Sequence, residues 1–429
     1  MKALKFAIFI ILCIFTTILT AQEPYREVVE IKHSRFHKFQ QISPILFRAY
    51  PVAVSADSFA LHLFTQTALD IHSFQLAHPF YATRYSWEVL ILDSAGRAVE
   101  DISWTSEIRL KDFQQTNQRF RYHLSHNSLL LPAGKYKILA TLNDVHGRLL
   151  KKLSAKVRFN FRDGFYASPP LFYTPDSPEF SNTLSIAGLP TALRNHLFFN
   201  RPYALYLNFF NLAGDSTRID LQLHQVSPEK KVLWQKELAF SASSEGIDWQ
   251  GLLPWQKMEE GEYLLNITYV YGKKSYRQRL SFQVEWFDRH RSLLLPQLAI
   301  EPLRLLLDKA EFKKLFSGNE EKDLRAFRQF WKEKDPDSST AFNPVMAEFY
   351  ARIDTANVRW GGRGQYGWRT EIGRIYVLNG PPDQIEDNSL SPTNPHLIWI
   401  YHRPDRNLRY IFRAVDGRRK YQLIKEEEF

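Results

Sequence analysis

Glu371 and Asp383 flank one short apolar run, and two carboxylates so placed are what a glycoside hydrolase would need. Such an enzyme sets an acid and a carboxylate across the scissile bond, and the pair need not be close in sequence. Each has a competing duty in a turn or an ion pair, so no catalytic residue is assigned. His33 with His37 and His123 with His126 have helical ligand spacing, but both pairs fall in segments that read as loop or strand. They are expected at the surface, and no metal site is predicted. The sequence has no Gly-x-Ser-x-Gly elbow, no phosphate loop and no Gly-x-Gly-x-x-Gly. Nucleophilic hydrolysis and nucleotide binding therefore lack local support, and no cofactor is implied.

Charge offers a different chemistry. Arg403, Arg406, Arg409, Arg413, Arg418, Arg419 and Lys420 face only Asp405 and Asp416 in the same stretch, which suggests either a solvated basic sheet face or an anion-facing one. Arg359, Arg363, Arg369 and Arg374 would extend it if they share that side. The formal net charge is +10; Lys2 and Lys5 supply two, and residues 1–21 hold no acid, which leaves +8 beyond them. That excess suits an acidic protein face, an anionic glycan or the surface of a membrane.

The N-terminus speaks for export. Lys2 and Lys5 precede an uncharged run from Phe6 to Ala21, the pattern of a signal peptide over residues 1–21 with cleavage after Ala21. A retained anchor and a lipid on Cys13 are the alternatives. Bulky Leu12 before Cys13 argues against lipidation. Cys13 is the sole cysteine, so the processed chain would have no disulfide, thiolate ligand or cysteine nucleophile. Export also makes nucleic acid an unsuitable partner. The expected address is the periplasm, the outer membrane or the cell surface.

Beyond a lead segment at 22–44, period-two alternation predicts strands, as in Phe59, Leu61, Leu63 and in Trp87, Val89, Ile91. Residues 45–166 and 169–287 read as two tandem β-sandwiches divided at Pro169-Pro170; one large sandwich is the alternative. A shift of 127 residues sets Gly134, Tyr136, Ile138 and Ala140 on Gly261, Tyr263, Leu265 and Ile267, and then Ala155, Val157 and Phe159 on Phe282, Val284 and Trp286. This Gly-x-Tyr hairpin resembles the last two strands of immunoglobulin-like and fibronectin-like modules.

From 296 to 429 the period changes to about 3.6, then returns to two, as in an α+β domain of helices followed by an antiparallel sheet. Helices are expected around Leu305–Phe316 and Leu324–Trp331, and from the cap Asn343 with Pro344. Strands are expected from Gly373 to Leu378 and again at Leu397, Leu408 and Tyr421. The fold class is thus multi-domain, two tandem all-β sandwiches and then an α+β domain.

The run Gly367-Trp368-Arg369-Thr370-Glu371, with Gly373-Arg374-Ile375-Tyr376-Val377 and Gly380-Pro381-Pro382-Asp383, resembles the signature of the GWxTD domain of secreted bacterial proteins. Phe330-Trp331, Asp335-Pro336, Asn343, Phe349, Arg352, Ala356 and Asn357 match its helical part. Glu371 stands where that family has aspartate. The resemblance implies no activity, so each residue is read physically. Trp368 should close the core against Phe349 and Ile353, Thr370 should cap, Glu371 should clasp Arg374, and Gly380 to Asp383 should stop a strand. The Gly-Pro-Pro-Asp run followed by Trp399-x-Tyr401 also resembles small modules of outer-membrane assembly lipoproteins. A non-enzymatic interaction or scaffold protein of the envelope, binding a protein or anionic glycan, is the resulting expectation. A hydrolase acting on envelope polysaccharide through a carboxylate pair is the alternative.

Overall fold

The computed structural model describes residues 43–429 apart from 118–120, 176–195, 243–245, 287–288, 363, 392 and 416–419. The expected signal peptide, most of the lead segment, Cys13, His33, His37, Arg363, Arg418 and Arg419 lie outside the described residues. Two compact units divide the chain, Met1–Glu285 and Trp286–Phe429.

The first unit is all-β. Its first half comprises β1 (Ile45–Ala53), β2 (Ser58–Ala68), β3 (Gln75–Ala77), β4 (Phe80–Leu92), β5 (Ala98–Leu110), β6 (Tyr122–Pro132), β7 (Gly134–Asp144) and β8 (Leu149–Phe159). Sheet I runs β1-β2-β6, and sheet II runs β5-β4-β7-β8 with β3 also on β4. Alternate residues of both sheets, Phe59, Leu61 and Leu63 from one and Trp87, Val89, Ile138 and Phe159 from the other, form one core. That is what period two requires of a sandwich.

The second half adds β9 (Phe165–Ala167), β10 (Leu171–Tyr173), β11 (His196–Phe198), β12 (Ala204–Asn211), β13 (Thr217–Ser227), β14 (Lys231–Phe240), β15 (Ile247–Leu252), β16 (Gly261–Tyr271) and β17 (Lys274–Glu285). β12 pairs with β9, β10 and β15 in sheet III, and β11-β17-β16-β13-β14 is sheet IV. Phe172 on Phe282, Phe209 on Tyr269 and Phe165 on Tyr271 join the two sheets, with ring centroids 4.3 to 5.7 Å apart. β9 begins before the division set at 166 and belongs with β12 of this sandwich.

The repeated hairpin is real in geometry, with one amendment. Tyr136 and Tyr263 each donate their hydroxyl to the carbonyl four residues back, Pro132 at 2.9 Å and Glu259 at 2.8 Å. Across the ladder Tyr136 faces Val157, whereas Tyr263 faces Phe282. The second hairpin turns tightly at Gly272-Lys273, so its return strand sits two residues out of the gapless register. Because a strand's faces alternate every two residues, that slip leaves the apolar pattern unchanged.

The two sandwiches also pack on each other. β2 and β12 are buried along nearly their whole length on both faces. Tyr50 and Phe64 from the outer side of sheet I meet Leu171, Tyr173, Ala204 and Tyr206 from the outer side of sheet III. The sheets of this unit therefore stack in the order II, I, III, IV.

The second unit opens with a short helix at Pro296–Ile300 and continues through α1 (Lys309–Leu315), α2 (Glu320–Glu333), α3 (Pro344–Trp360) and α4 (Glu371–Asn379). The antiparallel sheet V follows, β18 (Gln384–Asn388), β19 (His396–His402), β20 (Asn407–Val415) and β21 (Lys420–Glu428), in that order. Asn343 caps α3 by accepting from the Met346 amide at 2.9 Å, with Pro344 in the first turn. α4 corrects the strand expected at Gly373–Leu378. Thr370 caps that helix and Gly380, at φ +81°, ends it. These terminal signals outweigh the β-preferring Ile375-Tyr376-Val377.

Candidate functional site

The motif builds a corner between α3 and α4 that is closed by backbone contact. A Cβ on Gly367 would lie 1.9 Å from the Ala356 carbonyl oxygen, and one on Gly373 would lie 1.9 Å from that of Gly367. Gly361 is similar, 2.3 Å from the Asn357 oxygen. Three glycines thus let two helices and the turn between them touch with no side chain intervening. Thr370 completes the turn, its hydroxyl donating to the Gly367 carbonyl at 2.6 Å and accepting from the Gly373 amide at 3.1 Å. Trp368 is 6% exposed and packs in the core of Phe349, Tyr350, Ile353, Ala356 and Val377.

Glu371 does not clasp Arg374. Its carboxylate accepts from the Leu423 amide at 2.5 Å, which ties β21 to the first turn of α4. Arg374 is exposed and has no ion pair among the described residues. The far end of α4 is equally well bonded. Arg352 donates to the Val377 carbonyl at 3.3 Å, Arg403 to that of Asn379 at 2.7 Å, and the Tyr401 hydroxyl to that of Gly380 at 3.0 Å. These groups satisfy carbonyls that a helix end leaves without intrahelical partners. Pro381-Pro382 then turn the chain out of a helix, rather than the strand expected. Asp383 fixes the start of β18, accepting from the His402 amide at 2.7 Å while its own amide donates to the Ile400 carbonyl at 2.9 Å. Both carboxylates proposed for hydrolysis thus hold backbone amides.

The arginine stripe is largely matched by acids. Arg406 lies 3.6 Å from Glu428 and Arg409 3.3 Å from Glu427, and Arg409 also covers the Phe429 ring. Lys425 and Arg409 together hold the Glu427 carboxyl below its ordinary range. Arg403 is occupied at α4, while Arg369 pairs with Glu301 at 3.1 Å and stacks on Trp368. Arg359 stacks on Tyr376, and Arg413 stays exposed. The anion-facing expectation weighed the arginines against acids only as far as Lys420. The missed signal is the run Glu426-Glu427-Glu428 on the neighbouring strand.

The histidines expected at the surface are also placed differently. His123 meets the Tyr85 hydroxyl at 2.7 Å, and His126 meets His62 at 3.2 Å across β2 and β6. His72 meets Thr67 at 2.9 Å. Burial pushes all four imidazoles down to about 4. Among the described residues no three His, Cys, Asp or Glu side chains are grouped so as to hold a metal ion. Nor is any described helix long and apolar enough to cross a membrane.

The second unit carries a groove of about 500 Å³ where α2, α3 and α4 meet. Leu306, Val345 and Leu378, each 39 to 48% exposed, stand in its walls above Trp331, Phe349 and Val377. Lys334, Glu348 and Arg352 rim it. Sequence patterning could not announce it, because Val345 and Leu378 fall on helix faces otherwise polar or buried. On the first unit the outer face of sheet IV carries a polar trough of about 600 Å³ lined by Asp220, Gln222, Asn266, Thr268, Arg277 and Arg279.

Residues 268–429 match the GWxTD domain. The match begins inside β16 and covers the whole second unit. No curated protein matches the chain. Among solved structures, a β-glucosidase from Listeria innocua in complex with gluconolactone is 14% identical over 26% of this chain and 21% of its own, at a TM-score of 0.18. A DUF4785 family protein from Legionella pneumophila is 9% identical over 57% and 58%, at 0.19. A D1–D4 ectodomain fragment of ICAM-5 is 11% identical over 53% and 61%, at 0.17. The chain spans less than two thirds of each, and likeness this slight carries no weight for fold or function.

Proposed function

We propose that the chain is a non-enzymatic interaction protein of the bacterial envelope, exported by its N-terminal segment, whose sandwiches position a GWxTD domain that binds another envelope protein. The observation that carries this reading is the groove between α2, α3 and α4. The motif spends its hydroxyl, carboxylates and glycines on closing the corner, and Trp368 on the core. Beside it Leu306, Val345 and Leu378 stay partly in solvent and line one groove. Clustered apolar exposure rimmed by charge is the usual character of a protein-binding surface. Lys334, Glu348 and Arg352 would set the register of the bound segment.

A photo-crosslinking residue at position 378 tests the proposal in intact cells, with position 413 as the control. An adduct with one envelope protein at 378, absent at 413 and abolished by Val345→Asp in a chain that still folds, is the expected result. Adducts at neither position would overturn it. So would release of reducing sugar from envelope polysaccharide that is lost on Glu371→Gln or Asp383→Asn, because that outcome belongs to a hydrolase.

A further inference from the structure

A cluster of unpaired cations lies on the first sandwich, on the outer face of sheet II. Along β7 the residues between the core positions Tyr136, Ile138 and Ala140 are Lys135, Lys137, Leu139 and Thr141, and along β8 the outward positions are Lys152, Ser154, Lys156 and Arg158. The ladder sets Lys135 directly across from Arg158 and Lys137 directly across from Lys156. Lys152 faces Thr141 in the same register. All five cations are exposed, and none has an acidic partner among the described residues. Like charges directly opposite each other destabilise a sheet, and here two such pairs are adjacent. No ion pair of these cations among the described residues offsets that cost, whereas an anion on this face would.

The shape of the patch selects the anion. Lys152, Lys156 and Arg158 form a line along an edge strand, about 20 Å long at the rise of a strand, with Ser154 between them. Lys135 and Lys137 run beside it with Thr141 beyond. A linear polymer with repeated carboxylates and hydroxyls matches a line of cations interleaved with hydroxyls. A lipid surface fits less well, because the leucines on this face, Leu90, Leu92 and Leu139, are half-buried. Val145 and Leu149 are exposed, but at the other end of the hairpin from the paired cations. Single-stranded nucleic acid would call for exposed aromatic rings to stack its bases, and this strip presents none among the described residues.

We infer that the outer face of β7 and β8 is a docking strip for an acidic linear polysaccharide laid along β8. The inference does not rest on the groove of the second unit, and its test leaves that groove untouched.

Binding of the full chain to polygalacturonate oligomers, followed by calorimetry at low and moderate salt, gives the answer. The expected result is salt-sensitive binding that weakens about tenfold in Lys137→Glu/Lys156→Glu. Arg406→Glu/Arg409→Glu, which changes net charge by the same amount but touches paired arginines, should bind like the parent. The single variant Lys156→Glu should keep or raise the melting temperature, since it turns a repulsive pair into an attractive one; loss of binding then cannot be ascribed to unfolding. Equal binding by the strip variant and the parent would overturn the inference. So would retention of phosphatidylglycerol vesicles or single-stranded DNA with no affinity for the uronate, or undiminished binding of the methyl-esterified polymer.

Discussion

Two junctions in this protein hold layers of secondary structure together by opposite means. Between sheets I and III, Tyr50, Phe64 and Tyr206 meet through bulky rings, with His62 and His126 paired on the same side of sheet I. Between α3 and α4, Gly361, Gly367 and Gly373 bring backbones into contact. The first kind of junction can yield, because rings can tilt and neighbours can shift. The second cannot, because a carbonyl oxygen fixed in a helix has nowhere to go. A small change should therefore be graded at the sheets and abrupt at the corner, whatever its chemistry.

The largest effect should come from the smallest substitution. Gly367→Ala adds one methyl where the Ala356 oxygen stands 1.9 Å from the new atom. Forcing α3 and α4 apart uncovers Trp368, and the loss should exceed about 4 kcal/mol, enough to unfold a marginal unit. Calorimetry of the full chain should show the transition of the second unit vanish while that of the β unit persists. A variant melting within a few degrees of the parent would show the corner to be compliant and erase the contrast.

Trp368→Ala comes next. Removing an indole that is 6% exposed leaves a cavity among Phe349, Ile353 and Val377, which should cost about 3–5 kcal/mol. The same calorimetric transition reports it. A tryptophan variant that stays as stable as the parent but loses its crosslinked partner would move Trp368 from the core argument to the binding one.

Acid should act on the sheets. The imidazoles of His62, His72, His123 and His126 fall from an ordinary 6.5 to about 4 in the fold. The unfolded chain therefore takes up protons that the folded one refuses, and the stability these groups contribute is whole above pH 6.5 and drains away as the pH falls toward 4. Partial solvent access limits each to on the order of 1–2 kcal/mol. The melting temperature of the β unit should drop steeply over that window, and less steeply in His62→Phe/His126→Phe. An unchanged slope in the double variant would place the acid sensitivity elsewhere.

How much of this was legible in the residues follows from the same contrast. Side-chain junctions leave a pattern. Period two in Phe59-Leu61-Leu63 foretold the sandwich core, and the repeated Gly-x-Tyr foretold the two matched hairpins. Even so, period two marks only one face of β12, that of Leu205, Leu207 and Phe209. The other, Ala204 and Tyr206, is buried against Tyr50 and Phe64 of sheet I and stands in the sequence only as part of the apolar run from Tyr203 to Leu207. Backbone junctions leave almost none. Gly373 and Ile375-Tyr376-Val377 read together as a strand. The helix was nonetheless marked by Thr370 at its cap, Glu371 in its first turn and Gly380 at its end. The groove needed three helices to meet, which no single segment encodes. The acids that neutralise Arg406 and Arg409 are close to them only through the pairing of β20 and β21.

The smallest effect tests where the corner ends. Glu371 is exposed, and its carboxylate reaches the Leu423 amide from the first turn of α4, where a negative charge also suits the helix dipole. Glu371→Gln keeps an acceptor of the same reach and loses only the charge, so it should cost about 0.5 kcal/mol or less. Glu371→Asp keeps the charge but is one methylene shorter, and should lose the bond to β21 at about 1 kcal/mol. That order, aspartate worse than glutamine, follows if the contact is a strap between helix and sheet. Hydrogen exchange at the Leu423 amide reads it directly, with faster exchange in the aspartate variant and near-parental exchange in the glutamine one. The reverse order would mean that charge at the helix start matters more than reach. In that case this chain's departure from the family's aspartate would be neutral, and the strap to β21 incidental.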